Sequence, residues 1–345
     1  MSGVVTILLL LFCGSKVGRT ADPVVLPTRQ AQVAKWHVRL SDEGSSIADG
    51  ELPVLNYQRA TTSLAGRWPR AHYIHPLYDL DGNVLTEDFP DDHRHHRGVF
   101  WAWHQLLVDG RPGGDGWLCE DFQWDVGALA ATMESGTVRL HAEVTWTTKL
   151  PEATGDRRVD EDEAEVALSP AATSSSLSFQ PVVAESTDIR VYPVQVADGH
   201  PYRCLDVVMR LVALQPNTMI GGSDDEKGYG GFSLRLSLDE GIEFIGPHGE
   251  VAARVTAIDA GPWLDFRTPR AGVLVICHHE NPGHPQRWIL RQEKSMQNVV
   301  FPGRLPVVLP TAAPLVLRYR MVIHRRDFPV ALLNDLHLDF QAITP

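Results

Sequence analysis

The sequence predicts an all-β fold: a large antiparallel β-sandwich with one short C-terminal helix. Two observations carry this. Apolar and polar residues alternate along several stretches, which sends one set of side chains to each face of an extended strand. Twenty-four prolines and twenty-eight glycines in 345 residues favour many short elements joined by turns over long helices. A hydrophobic content of 43% with 21% charged residues is ordinary for a globular protein, and the length suits one large all-β domain.

The chain begins with Val4 to Phe12, apolar apart from Thr6, followed by Cys13-Gly14-Ser15. That length suits the core of a secretory signal peptide and is too short to span a bilayer. Residues 1–21 are therefore expected to be a leader directing export to the periplasm or the exterior. No Lys or Arg precedes the run, and Arg19 stands just before the small residue Ala21. Residues 22–345 are expected to form a single sandwich domain.

Along that domain Val138, Leu140, Ala142, Val144 and Trp146 share one face, with Arg139, His141, Glu143 and Thr145 on the other. Leu205, Val207, Met209 and Leu211 repeat the pattern, as do Phe232, Leu234, Leu236 and Leu238. Leu315, Leu317, Tyr319, Met321 and Ile323 alternate with Arg318, Arg320 and His324. Such period-two runs between turn residues predict antiparallel sheets with one wet face. From about 151 to 181 the pattern fails, giving way to an acidic run and then Ala, Ser and Thr, and a mobile surface insertion is expected. Only the C-terminal stretch reads as helix, with Asp327 as cap, Pro329 in the first turn and Ala331, Leu332, Leu336 and Phe340 as its apolar face.

A net charge of -12 argues against general nucleic-acid affinity, since no basic stripe exists to neutralise phosphates. After the leader no apolar run is long enough to span a bilayer. Cys119, Cys204 and Cys277 allow at most one internal disulfide, and no CxxC pair is present for zinc or redox work.

The densest chemistry lies at Asp91-Asp92-His93-Arg94-His95-His96-Arg97-Gly98, followed by Trp101 and Trp103. Three imidazoles and two guanidinium groups so close together point to a polar pocket, because burying such groups unpaired is costly. If Asp92 to Arg97 is extended, His93, His95 and Arg97 point one way and Asp92, Arg94 and His96 the other. Two histidines on one face suit either a divalent metal completed by a carboxylate or an acid–base pair working near neutral pH. Trp117 and Trp124 follow, with Glu120 and Asp121 between them, and rings beside carboxylates and arginines suit sugars, whose C–H faces stack on aromatics. The bland alternative for each tryptophan is a place in the core.

A second cluster runs from Cys277-His278-His279-Glu280 through His284 and Trp288 to Arg291, starting where an apolar strand ends. A third piece, Asp224-Asp225-Glu226-Lys227-Gly228-Tyr229-Gly230-Gly231, is a polar glycine-rich loop before a strand. It lacks a following helix and so is not a phosphate loop.

Together these pieces resemble a bacterial family of unknown function whose members are often labelled "methane oxygenase PmoA". The matching stretches are His75-Pro76-Leu77 to Asp88-Phe89-Pro90, Asp92 to Gly98, Trp117 with Glu120, Asp224 to Gly228, and Asn281 to Arg291. The chain departs from the family pattern at Arg94, where a proline is usual, and at Glu293-Lys294, where Tyr-Gly is usual. The label is at odds with the sequence, because a membrane-embedded monooxygenase subunit needs spanning segments that this chain lacks. The resemblance implies instead a sandwich of the kind seen in aldose epimerases and polysaccharide lyases, in a sugar-degrading setting.

The expectation is an exported carbohydrate-active protein, a hydrolase or lyase acting on a glycoside or modified sugar, with a small molecule or oligosaccharide as its ligand. His93, His95 and His96 are the candidates for acid, base or metal ligand, with Asp92 orienting an imidazole and Glu120 as a second carboxylate. Arg97 and Arg291 would hold a carboxylate or hydroxyls, and Trp101, Trp117 and Trp288 would line the ligand. The alternatives are a non-catalytic sugar-binding protein and, more weakly, a metal-dependent oxygenase.

Overall fold

The computed structural model describes residues 29–151, 177–237, 241–293 and 296–343. The expected leader and the middle of the expected insertion, residues 152–176, lie outside them. The ends of that insertion are narrower than the composition suggested. Strand Thr137–Pro151 pairs with Leu177–Val191 up to Pro151 opposite Leu177, so the chain leaves and re-enters at the end of one antiparallel pair.

Two antiparallel sheets dominate. The large one runs in the order Phe122–Glu134, Thr137–Pro151, Leu177–Val191, His200–Ala213, Leu315–Arg325, Ala271–Cys277, Trp263–Arg267, Glu243–Gly246 and Gly249–Glu250. The second runs Trp36–Leu40, Gly44–Asp49, Leu52–Gln58, Tyr73–Leu77, Val99–Trp103, Gly230–Leu234, Gln297–Val300 and Arg287–Ile289. A small sheet built on Gln105–Val108 and Met219–Gly221 flanks them.

The alternating residues of the sequence supply the core between these sheets. Val138 to Trp146 buries every second side chain, Leu205 to Leu211 does so with Asp206 buried besides, and Leu317 to Ile323 also buries Arg320 and Val322 on its other face, Val322 beneath the helix. They meet the opposite sheet directly: Phe232 stacks on Tyr319 with ring centroids 4.6 Å apart, a contact contributing about 0.5–1.5 kcal/mol beyond area burial. The Phe232 run is shorter than expected. Its strand ends at Leu234, Leu236 makes a single bridge to Thr86, and Leu238 lies outside the described residues.

The same core holds a buried polar group, Glu185 on the large sheet. Its carboxylate accepts hydrogen bonds from Trp101 Nε1 (2.7 Å), Trp146 Nε1 (2.7 Å), Thr187 Oγ1 (2.6 Å) and His72 Nε2 (2.8 Å). His72 Nδ1 in turn meets the Tyr57 hydroxyl at 2.6 Å. Burial opposes ionisation of Glu185, but His72 and the other donors outweigh it and hold the carboxyl below its usual range. This group bonds one sheet to the other.

The helix Val330–Gln341 packs on the outer face of the large sheet, where Leu332, Leu333, Leu336 and Phe340 meet Trp263, Leu274, Ile276 and Val322. Its N-cap is Pro329, with no side-chain cap bond, so Asp327 does not cap it. Ala331 is exposed, and Leu333 takes the place expected of it on the buried face. Among the described residues no helix is long and apolar enough to cross a membrane. Cys119, Cys204 and Cys277 are buried free thiols.

Candidate functional site

Long-range strand pairing brings the sequence motifs together. Val99–Trp103 pairs with Gly230–Leu234, which pairs with Gln297–Val300 and through it with Arg287–Ile289. The histidine loop before Val99 therefore lies beside Arg235, just after Leu234. Glu87 and Arg235, and Arg235 and Gly98, exchange backbone hydrogen bonds there (3.0 and 2.7 Å). Gly98 is required at this junction: its φ is +51°, and a Cβ would stand 2.0 Å from the Ile74 carbonyl oxygen.

Asp92 to Arg97 is not extended. The His96 amide donates to the His93 carbonyl at 2.9 Å, closing a turn that gathers all three imidazoles instead of splitting them between two faces. His93 stacks on His96 at 4.8 Å with planes 6° apart, and His95 meets His96 edge-on at 4.5 Å. Asp92 anchors the loop, receiving both terminal nitrogens of Arg235 (2.7 and 3.0 Å) and facing His93 Nδ1 at 2.8 Å. Partial burial works against the Asp92 charge, but the hydrogen bonds from Arg235 and His93 prevail and hold its carboxyl at about 2.

Trp101 and Trp103 turn into the sandwich, and the same alternation sends Phe100 to its outer side. There Trp117 lies on Phe100 at 5.3 Å, with His96 at 6.0 Å, His104 stacked at 5.3 Å and Tyr229 at 5.7 Å. Beneath them Arg70, fully buried, donates to the Gly116 and Trp117 carbonyls (2.9 and 3.1 Å) and covers the ring faces of Phe100 and Trp124. Burial first, and then the cations around it, lower His95 to about 4. His96, only 3% exposed, is likewise pushed well below its ordinary value by burial and by its two histidine neighbours. Both rings are neutral at neutral pH. Neither has a side-chain hydrogen bond to any described residue, and His96 Nδ1 is buried without a partner.

Several expected site residues take other places. Arg97 is fully buried, bonded to Asp88, Thr62 and the Tyr73 hydroxyl and capped by the Phe89 ring at 3.5 Å, so it fastens the loop and is closed to ligand. Trp101 serves the Glu185 network, and Trp288 is buried with its Nε1 on the Gly261 carbonyl at 2.9 Å. Trp117 is 2% exposed, roofed by its neighbours, which leaves half-buried Tyr229 as the ring a ligand can meet. Glu120 is exposed at the end of the Asp115–Glu120 turn.

The two histidine groups stay apart. His278 packs edge-on against Phe340 at 5.2 Å, and His279 binds Gln341, at the C-terminal end of the helix. Arg291 is linked to the first group only through Tyr229, the ring packed on Trp117: it bonds the Tyr229 hydroxyl and the Arg254 and Val255 carbonyls (2.8 and 3.0 Å). It has no carboxylate partner among the described residues. Next to Tyr229, Gly228 lines a cleft of about 570 Å³ walled by Pro282, Arg287, Phe301 and Leu305. Asp225 shapes that loop by accepting the Lys227 amide at 3.0 Å and the Ser223 hydroxyl at 2.7 Å.

Sequence reasoning missed His104, held by Asp115 at 2.9 Å, and the two arginines Arg70 and Arg235. Arg235 sits at a polar position of the alternating Phe232 run, and that was its only signal. No group of three or more His, Cys, Asp or Glu among the described residues has metal-binding geometry. The reason is visible in the rings: lone pairs lie in the imidazole plane, so two parallel rings such as His93 and His96 cannot aim at one ion.

Fold and site together define an all-β sandwich with a wall of histidines and aromatic rings on the outer side of its second sheet. The chain matches a family of unknown function, DUF6807, over residues 45–337, and it belongs to that family. The match spans every motif described above. No match to a curated protein was found.

Proposed function

We propose that this is an exported carbohydrate-active protein, and that it acts on an acidic sugar by proton abstraction of the lyase type. One observation carries the reading: His95 and His96 are neutral and desolvated on a ring wall whose Trp117 also meets half-buried Tyr229, and Tyr229 is bonded to Arg291, a cation with no carboxylate partner among the described residues. A neutral imidazole is the form that takes a proton, and an arginine beside it steadies the enolate left behind. His95, half-buried, is the base; the buried His96 ring packs against it; Tyr229 stacks on the sugar; Arg291 holds the carboxylate in place of its backbone carbonyl partners.

Hydrolysis by two carboxylates is the weaker branch. Asp92 is tied to Arg235 and ionised down to about pH 2, so it cannot donate a proton to a leaving group. Metal-dependent oxygenation is weaker still, because the stacked rings do not converge. A second reading has one observation in its favour: a pKa near 4 makes His95 a feeble base, which suits a sugar-binding protein without turnover.

The test is a panel of acidic and neutral glycans, followed by the ultraviolet absorbance of unsaturated uronate products and by calorimetry. The lyase reading expects product from the wild type and a loss of about 10²-fold or more in His95→Ala. Saturable binding without product would establish the second reading. Neither product nor binding would end both.

A further inference from the structure

We propose that the opposite side of the sandwich, the outer face of the large sheet, carries a separate binding site for a small polar molecule bearing one oxyanion group, a carboxylate or a phosphate. This does not rest on the reading of the histidine wall. The polar positions of four neighbouring strands meet there. Arg139, Asp188 and Arg210 form its floor, Arg190 and Arg318 its sides, and Phe340 of the helix its apolar wall, around a cavity of about 340 Å³. That volume is within the ordinary range for small-molecule sites.

The charges are unevenly matched. One carboxylate, Asp188, serves Arg139 (2.7 Å), Arg210 (2.8 Å) and His141 (2.8 Å) at once. Asp206, the other acid lining the cavity, is occupied by both forks of Arg320 (2.6 and 2.8 Å) and by the Tyr192 hydroxyl at 2.7 Å. Arg190 reaches only Glu134, at 4.0 Å, and Arg318 turns to Glu280 at 3.0 Å. Five guanidinium groups, of Arg139, Arg190, Arg210, Arg318 and Arg320, thus meet four carboxylates, of Asp188, Asp206, Glu134 and Glu280, while His141 has Glu143 as well at 2.6 Å.

An independent feature points the same way. His278 lines the cavity, is 1% exposed, and its Nε2 has no hydrogen bond of ordinary geometry. Its Nδ1 accepts the Glu280 amide at 3.3 Å, which places the ring proton on Nε2. Burial, followed by the neighbouring His279, lowers its pKa, and the Ile343 carbonyl opposes this only in part. A buried N–H donor without a well-formed hydrogen bond, beside guanidinium forks, suits an oxygen anion, and arginine geometry is suited to carboxylate and phosphate alike.

Calorimetry on the full chain at low salt tests this with D-glucuronate, D-glucose 6-phosphate and, as the neutral control, D-glucose. At least one acid is expected to bind saturably and glucose not to bind; the tighter of the two acids identifies the oxyanion. Arg190→Gln and His278→Phe are each expected to weaken binding about ten-fold, the loss of one charge-assisted or buried hydrogen bond. Arg39→Gln, the same charge change at an exposed site elsewhere, is expected to leave it unchanged. Absence of binding by both acids overturns the proposal, as does binding that survives Arg190→Gln and His278→Phe in variants that melt like the wild type. Binding lost in His95→Ala instead would assign the acid to the histidine wall.

Discussion

His72 and His96 are both buried, both among aromatic rings, and both on or beside the second sheet, yet their surroundings differ completely. Each nitrogen of His72 has a partner, and the carboxylate it faces collects four donors. His96 has a buried nitrogen with none, and its neighbours are two more imidazoles and, at some distance, arginines. A polar network closed on itself fixes how two sheets meet and has nothing left to offer a ligand. One left open in the folded state is costly to keep, and such cost is concentrated at functional sites.

The sharpest way to break this comparison is at Glu185. Glu185→Ala leaves His72, Trp101, Trp146 and Thr187 with unmet donors in the core, and is expected to lower stability by about 3–5 kcal/mol. A urea midpoint shifted by less than a third of that would mean the network is not what joins the sheets. The open group should behave in the reverse sense, with His95→Ala shifting the midpoint by only about 0.5–1 kcal/mol at neutral pH while removing ligand response.

Titration sharpens the contrast further. His95 is lowered in the fold to about 4 from an ordinary 6.5, so the unfolded chain takes up its proton first as the solution is acidified. Stability is therefore expected to fall as pH drops from about 6.5 to about 4, and this slope should be shallower in His95→Gln. Asp92 gives a slope of the same sign in a lower window. Its contribution is complete above the ordinary 3.8 and is lost as pH falls through about 2, a loss that Asp92→Asn should not show. Unfolding curves at several pH values check both. The smallest effect is expected at Glu120: exposed and outside the histidine wall, Glu120→Gln should alter stability by less than about 0.5 kcal/mol and leave turnover intact. Lost turnover would restore it as a second carboxylate.

The strands were legible because burial on one face writes a two-residue period into the sequence, as in Val138 to Trp146. The helix was legible from Leu332, Leu336 and Phe340, but its cap was not, since Asp327 is a good cap in general and the chain happens to enter the helix through Pro329. For the candidate site, the density of histidines marked the loop whose rings the fold gathers. Their arrangement was hidden because a single turn bond, His96 to His93, decides whether neighbouring rings diverge or gather. Arg97 and Trp101 illustrate the remaining limit. A guanidinium or an indole beside a site has the same local spelling whether it faces a ligand or a buried carboxylate, and only partners far along the chain, Asp88 for one and Glu185 for the other, distinguish the cases.

The clamp between Asp92 and Arg235 joins residues 143 positions apart. A ribosome finishes the histidine loop long before it reaches the arginine that fastens it, and the strand carrying that arginine must then find its place beside Val99–Trp103. Until it does, the imidazoles hang on an unanchored loop in water and titrate as free histidines do. The wall thus comes into being as a late event in the history of each molecule, and a truncated product ending before Gly230 would carry the whole motif and none of its chemistry.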